Sequence, residues 1–233
     1  MTALLKNKQT TSEIDLNGMA AVLDLTGAIY LPDQQILLVA DLHFEKGSSF
    51  ARHGRFLPPY DTRETLTTLS AAIDRLQPRT VVALGDSFHD AGGPDRLGAE
   101  ERLDLLRMQG GRQWIWVTGN HDRELPDSIG GEVVSEMQLG SVTLRHEPSQ
   151  GEVAEVAGHL HPVGKVVMRG RAVRRRCFVT DGQRCIMPAF GAYAGGLNAC
   201  NEVFKPLFPR GFTAHIIGAE RIFAIGRSLL CRD

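Results

Sequence analysis

The sequence is poor in cysteine, has no long apolar run and carries almost no net charge, and each feature excludes a class of protein. The four cysteines (Cys177, Cys185, Cys200 and Cys231) form no Cys-x-x-Cys pair, so we expect reduced thiols in a cytoplasmic protein rather than a disulfide framework. No segment reaches the roughly 18 apolar residues of a membrane span. The formal net charge of −1 argues against a protein that coats nucleic acid with its whole surface, although local basic patches are compatible with it.

The N-terminal region also lacks the features of a targeting signal. Residues 1–13 contain no apolar run of the roughly 7–15 residues that a signal peptide needs. Residues 1–18 are mostly polar, which predicts a loosely held lead-in. No linker, low-complexity tract or repeat follows, so we expect a single domain over residues 1–233.

The first half of the chain alternates apolar runs with helical patterns. The predicted strands are residues 20–25, 27–31, 36–40, 80–84 and 113–117. The Asp-x-x-Glu form of a capping box at Asp61 predicts a helix that ends at Pro78, and a second helix is predicted over about residues 98–108. Residues 41–60 are predicted to be irregular, and a loop of this length is typical of a functional segment.

The second half changes to short strands, several of them separated by glycine-containing turns. The predicted strands are residues 132–139, 141–145, 153–157, 165–168, 172–180, 184–189, 213–217 and 222–225. The two halves together predict an α/β protein in which two β-sheets pack face to face with helices outside.

Polar side chains that can bind metal ions follow the predicted strands. Asp41 and His43 come directly after residues 36–40, and side chains two positions apart point to the same side of an extended chain. The full set is Asp41, His43, Asp86, Asn120, His121, His146, His159 and His161. Carboxylate, amide and imidazole ligands suit Mn²⁺, Fe²⁺ or Zn²⁺, and the set is too large for one tetrahedral site. Each motif alone is weak evidence, but their order predicts two adjacent metals bridged by Asp86.

The ordered motifs resemble those of the calcineurin-like metallophosphoesterases. They are Asp-x-His at Asp41, Gly-Asp at Asp86, Gly-Asn-His-Asp at residues 119–122, a lone His146, and Gly-His-x-His at residues 158–161. The resemblance implies a four-layer α-β-β-α sandwich. It implies a first metal held by Asp41, His43, Asp86 and His161, and a second held by Asp86, Asn120, His146 and His159. It also implies that His121 is a catalytic residue that binds no metal, and that Asp122 orients it.

A narrower resemblance points to one bacterial subgroup, the ligase-associated DNA-damage-response phosphoesterases. It is carried by Ala-Asp-Leu-His-Phe-Glu-Lys-Gly at residues 40–47, Leu-Pro-Pro-Tyr-Asp-Thr at residues 57–62, Gly-Asp-Ser-Phe-His-Asp at residues 85–90 and Pro-Ala-Phe-Gly at residues 188–191. The resemblance implies a Mn²⁺-dependent nuclease or phosphodiesterase of DNA repair, associated with an ATP-dependent DNA ligase and a helicase. His89 stands where many broader relatives carry an acidic residue, so a role near the metals, a substrate contact and a structural role all remain open for it.

The mechanistic hypothesis is direct hydrolysis without a protein nucleophile. A hydroxide bridging the two metals would attack phosphorus in line, because a metal lowers the pKa of bound water. His121 would donate a proton to the leaving oxygen, and Asp122 would hold its tautomer.

Clustered cations are the candidate substrate contacts. Five arginines fall within eight residues: Arg169, Arg171, Arg174, Arg175 and Arg176. These arginines either bind a nucleic-acid backbone or simply form the solvated face of a hairpin. Arg52, His53 and Arg55 in the loop could contact phosphate for the same reason, and the sparse aromatic residues near these cations give base stacking little support.

Three functions fit these observations. The first is a two-metal phosphodiesterase acting on DNA, and the second is the same chemistry on a small nucleotide or pyrophosphate. The third is a binding module that has lost its metals, which predicts missing ligands, whereas every expected ligand is present in the sequence.

Overall fold

The chain folds into two mixed β-sheets with few helices, and this confirms the expected pair of sheets. The structure is a computed structural model that describes residues 11–151, 153–168 and 170–233. Among these residues, no helix has the length and apolar character needed to cross a membrane.

The first sheet has seven strands, whose spatial order follows the chain. They are β1 (Thr11–Leu16), β2 (Met19–Asp24), β3 (Ile29–Leu31), β4 (Ile36–Val39), β5 (Thr80–Leu84), β6 (Gln113–Val117) and β7 (Glu132–Val134). β1 to β4 pair antiparallel, and β4 to β7 pair parallel. The carboxyl ends of β4, β5 and β6 therefore meet at one edge, which is where α/β sheets bind ligands.

The second sheet has nine strands. They are β8 (Met137–Leu139), β9 (Val142–Arg145), β10 (Glu155–Ala157), β11 (Pro162–Met168), β12 (Arg171–Thr180), β13 (Arg184–Ile186), β14 (Leu197–Asn198), β15 (Thr213–Ile217) and β16 (Ile222–Gly226). Their order is β14-β11-β12-β13-β10-β9-β8, and β15 pairs with both β12 and β16. The loop between β10 and β11 carries His159 and His161, so this sheet delivers imidazoles to the ligand edge of the first one.

Apolar side chains from both sheets form the central core. Leu38 and Val82 of the first sheet share one buried cluster with Leu144 and Phe178 of the second. All four side chains are fully buried, and each such burial is worth about 1.5–3 kcal/mol.

Helices cover the outer faces unequally. The helices are α1 (Lys46–Arg52), α2 (Asp61–Leu76), α3 (Gly93–Arg96), α4 (Ala99–Gln109) and α5 (Phe204–Leu207). α2 and α4 pack on the first sheet, where Leu69 and Leu105 join the cluster that contains Val81. The second sheet is covered by the single turn of α5, whose Phe204 packs with Val179.

Two predictions about the N-terminal half are wrong. Within the predicted lead-in, residues 11–16 form β1, which pairs with β2 along its whole length, whereas residues 1–10 lie outside the described part. Residues 41–60 are not irregular throughout, because they contain α1.

The predicted capping box is also wrong, for a reason that concerns the site loop. Tyr60 is the N-cap of α2, and the carboxylate of Asp61 accepts a hydrogen bond from the backbone of Gly47 (3.0 Å). The hydroxyl of Thr62 accepts from the backbone of Glu45 (2.8 Å) and donates to its carboxylate (3.0 Å). The start of α2 thus holds the loop that follows Asp41 and His43.

The predicted strand at residues 132–139 is two strands in different sheets. β7 completes the first sheet and β8 begins the second, so the chain crosses from one layer to the other between Val134 and Met137.

Candidate metal centre

The ligand candidates lie at the shared edge of the sheets in a backbone conformation that side chains rarely adopt. Positive φ angles occur at Asp41 (55°), His43 (46°), Asp86 (46°), His159 (67°) and His161 (43°). Each residue in this left-handed conformation lowers the stability of the folded state by roughly 1–3 kcal/mol, and such residues cluster at functional sites. The expectation that Asp41 and His43 share one side of an extended strand is therefore wrong, since β4 ends at Val39 and both residues are left-handed.

The first group of ligand candidates consists of Asp41, His43 and His161. The Oδ1 atom of Asp41 lies 3.1 Å from Nε2 of His161, and that nitrogen lies 3.3 Å from Nε2 of His43. One ligand atom from each residue can therefore reach a common ion.

The second group consists of Asp86, His146 and His159, with Asn120 beside them. The Nε2 atom of His146 lies 3.4 Å from Oδ2 of Asp86, 3.2 Å from Nδ1 of His159 and 2.8 Å from Oδ1 of Asn120. Asp86, His146 and His159 can therefore reach a common ion, and Asn120 lies within 3.2 Å of His159. Their roles as ligands stay a prediction. A bridging role for Asp86 between the two groups stays a prediction.

The hydrogen bonds around the second group leave His146 ready to bind a metal. Its Nδ1 atom donates a hydrogen bond to the carbonyl oxygen of Leu84 (3.0 Å), which points Nε2 at the cluster. Histidines that bind metals are commonly oriented by such a contact. The donor set of carboxylate, amide and imidazole fits divalent first-row ions.

Charge and burial set the protonation states in the metal-free protein. Burial is the main cause that lowers the pKa of His43, to about 2, with help from the neighbouring His161. Burial alone would lower the pKa of His146, but its hydrogen bond with Asp86 and the charges of Asp41 and Asp86 raise it to about 9. A metal must displace that proton, so metal binding at neutral pH releases protons.

Three glycines leave the space that the ligands occupy. A β-carbon at Gly85 would overlap the ring of His146, and one at Gly119 would overlap Asp86. A β-carbon at Gly158 would lie 2.5 Å from Oδ2 of Asp41. The glycines of the Gly-Asp, Gly-Asn-His-Asp and Gly-His-x-His motifs are thus needed for close packing against the ligands.

Replacing Gly158 with alanine should weaken metal binding by about 10–100-fold, because the methyl group displaces a carboxylate that would hold the first metal. Equilibrium dialysis with Mn²⁺ measures the effect. The matched control is Gly226→Ala, where the new β-carbon meets open space at ordinary φ. Equal affinity in the two variants would contradict the proposed packing role.

His121 lies beside both groups without belonging to either. Its side chain is 40% exposed, and Nε2 lies 3.9 Å from Oδ2 of Asp86. Its Nδ1 donates a hydrogen bond to the carbonyl oxygen of His89 (2.8 Å), so Nε2 is the nitrogen left for chemistry.

The prediction that Asp122 orients His121 is corrected by this geometry. The Asp122 carboxylate is fully buried and accepts backbone hydrogen bonds from Asp86 (3.1 Å), Ser87 (2.6 Å), Phe88 (3.2 Å) and Gly119 (2.9 Å). Burial raises its pKa to about 6 although these bonds act in the opposite direction. Asp122 therefore joins the two loops that follow β5 and β6, and the His89 carbonyl orients the His121 ring.

His89 joins the centre to helix α1. Its ring lies nearly parallel to those of His121 and Phe50, with 5.4 Å between centroids in both pairs. It also meets His43 edge-on at 5.4 Å. The sequence did not indicate Phe50, because nothing in a lone aromatic residue on a short helix predicts a contact with residues nearly forty positions away.

The predicted cationic contacts divide into two sets. Arg55 lines a cavity beside His89, and Arg52 is the last residue of α1. Arg174 is bound to the carbonyl of Gly196 (2.7 Å) and to Asp233 (3.3 Å), which reduces its availability for substrate.

The remaining arginines of the hairpin have different settings. Arg171 pairs with Met168 at the far end of the β11–β12 hairpin, several residues beyond His161, and Arg169 lies outside the described residues. Arg176 is held by the carbonyl of Ala189 (2.8 Å), which fixes the loop whose Phe190 and Gly191 bind the backbone of Ala40 and Asp41. Arg176 therefore supports the metal centre through this loop.

The sequence match defines the class of protein. Residues 35–215 match the model of the Calcineurin-like phosphoesterase family, so the chain belongs to that family. It is a metal-dependent hydrolase, and the two ligand groups correspond to the dinuclear site that the family uses.

Among solved structures, the chain is similar to the nuclease MPE of Pseudomonas putida, at 31% identity and a TM-score of 0.73 over 92% of this chain and 100% of that one. It also matches the phosphoesterase YfcE of E. coli, at 13% identity and a TM-score of 0.42 over 83% of this chain and 98% of that one. A likeness this weak supports no inference about function. No curated protein matches the sequence significantly.

Proposed function

We propose that this protein is a Mn²⁺-dependent phosphodiesterase that acts on DNA in repair. The observation that carries the proposal is the convergence of two ligand groups, Asp41–His43–His161 and Asp86–His146–His159, at one sheet edge. The DNA substrate is supported by the similarity to a protein named as a nuclease, which matches 92% of this chain. The donor set favours a first-row ion, with Fe²⁺ and Zn²⁺ as the other candidates.

The chain's own residues position the phosphodiester and move a proton. When bound, the two divalent ions supply Lewis-acid polarisation of a phosphoryl oxygen and make water easier to deprotonate. The His121 imidazolium donates its Nε2 proton to the leaving oxygen, while its Nδ1–H stays bonded to the His89 carbonyl. Asp122 keeps the loops that carry Asp86 and His121 in register through their backbone amides.

The proposed cellular setting follows from thiol chemistry and from the sequence motifs. All four cysteines are free, as is usual for proteins of a reducing compartment. We place the enzyme in the cytoplasm on this ground. Association with an ATP-dependent DNA ligase and a helicase stays a prediction from the sequence resemblance.

A substrate panel tests the DNA proposal. Purified protein with Mn²⁺ should cleave oligonucleotides, and kcat/KM should fall with salt, since each phosphate contact contributes about 0.7–0.9 to the log–log slope. A small nucleotide substrate should show a much shallower dependence. Cleavage of nucleotides or bis-p-nitrophenyl phosphate with no cleavage of oligonucleotides at low salt would favour the small-molecule function instead.

A further inference from the structure

A cavity of about 400 Å³ opens beside the metal centre, between α1 and the loop after β5. It is lined by Ser49, Phe50, His53, Arg55 and His89. Resting on the proposed function, we propose that this cavity is a nucleoside subsite, in which the base next to the scissile phosphate stacks on Phe50 beside His89.

The cavity is connected to the reaction centre through a row of rings. Phe50 and His89 are tilted by only 23°, and His89 and His121 by 20°. His89 also touches the ring of His43 in the first ligand group. An occupant that contacts His89 is thus next to both the proton donor and the metal ligands, which is where the nucleoside attached to the reacting phosphate must lie.

The lining has the chemistry that a nucleoside needs. Phe50 provides an aromatic face, and base stacking on such a face tolerates any sequence. His89 stacks on both Phe50 and His121, so it supports that face and does not offer a second one. Arg55 places a cation at the same cavity, suited to a flanking phosphate. The Nδ1 atom of His53 is bonded to the Ser49 carbonyl (3.0 Å), which fixes the orientation of this ring at the cavity wall.

A bare anion site would not explain the aromatic part of the lining. Lys46, which lies 5.8 Å above the Phe50 ring, is bound to the Tyr193 carbonyl (3.1 Å). The lysine therefore helps to hold the ring in place.

The volume of the cavity lies at the lower end of the roughly 300–1,000 Å³ of small-molecule sites, which suits one nucleoside. The proposed subsite therefore departs from the sequence-based expectation that base stacking has little support.

Three chromogenic esters with the same leaving group separate the subsite from the chemistry. One is methyl p-nitrophenyl phosphate, and the other two carry thymidine in place of methyl, attached through its 5′ or its 3′ oxygen. The ratio of kcat/KM between a thymidine ester and the methyl ester isolates the contribution of the nucleoside, because metals, proton transfer and leaving group are shared. For one of the two thymidine esters, we expect a ratio of about 10 or more in the Mn²⁺-loaded protein.

The variants Phe50→Leu and Arg55→Ala test the residues. Phe50→Leu should reduce the thymidine-to-methyl ratio about tenfold, mainly through KM, and Arg55→Ala should weaken oligonucleotides more than either ester. Phe223→Leu and Arg221→Ala are the matched controls, since they make the same two side-chain changes at Phe223 of β16 and at Arg221 directly before that strand. Both controls should keep the wild-type ratios.

The outcomes are distinct. A ratio near 1 in the wild type, or an unchanged ratio in Phe50→Leu for both thymidine esters, overturns the nucleoside subsite while the phosphodiesterase stands. If only Arg55→Ala lowers kcat/KM and Phe50→Leu changes nothing, the cavity is a simple phosphate contact and the nucleoside subsite is wrong. No hydrolysis of any ester contradicts the proposed function itself.

Discussion

Replacing Asp86 with asparagine should lower phosphodiester hydrolysis by about a thousandfold or more, because the carboxylate charge is central to the site. Its Oδ2 atom faces Nε2 of His146 (3.4 Å), and its Oδ1 atom accepts the backbone N–H of His121 (3.0 Å). Burial would raise the pKa of Asp86, but His146 and His121 lower it to about 2, so an anion is present at every working pH. Asparagine keeps the shape and removes the charge.

Turnover of oligonucleotide and of bis-p-nitrophenyl phosphate, with bound Mn²⁺ counted in parallel, measures this effect. Asp95→Asn is the control, since this exposed carboxylate lies on α3 away from the ligands. An Asp86→Asn protein that keeps more than a tenth of wild-type turnover would show that Asp86 is not at the reacting centre.

Replacing His121 with alanine should lower kcat by about 10²–10⁴-fold and leave the bound metal unchanged. His121 lies outside both ligand groups, yet its Nε2 atom is within 3.9 Å of Asp86. The effect should be smaller on esters with a good leaving group, such as p-nitrophenol, than on DNA, because those leaving groups need little protonation.

In His121→Ala, turnover should therefore fall while the metal content stays at the wild-type value. If the variant loses metal together with activity, His121 is a ligand and the proton-donor role is wrong. If it keeps both metal and full turnover on DNA, another group donates the proton.

The ligand residues could be found from the sequence because each follows an apolar run that forms a buried strand. Asp41 follows β4, Asp86 follows β5 and Asn120 follows β6, and parallel strands bring their ends together. Their conformation could not be found in this way. The left-handed φ angles of Asp41 and His43 depend on contacts made by distant segments, such as the hydrogen bond from the backbone of His43 to the carbonyl of Asp86.

The supporting residues were harder to predict because their partners are distant in sequence. The family resemblance implied that Asp122 orients His121, but backbone amides more than thirty residues away bind the Asp122 carboxylate instead. Phe50 was missed for the same reason. In the predicted strand at residues 132–139, the periodicity gave no sign that Val134 and Met137 belong to different sheets.

Titration of the metal-free protein with Mn²⁺ tests the central claim, a two-metal phosphodiesterase, most directly. The account predicts that two ions bind per chain, that electron paramagnetic resonance shows them coupled at roughly 3.5–4 Å, and that DNA hydrolysis rises with the second ion. Full hydrolysis with one ion or none, or two ions without magnetic coupling, would contradict it.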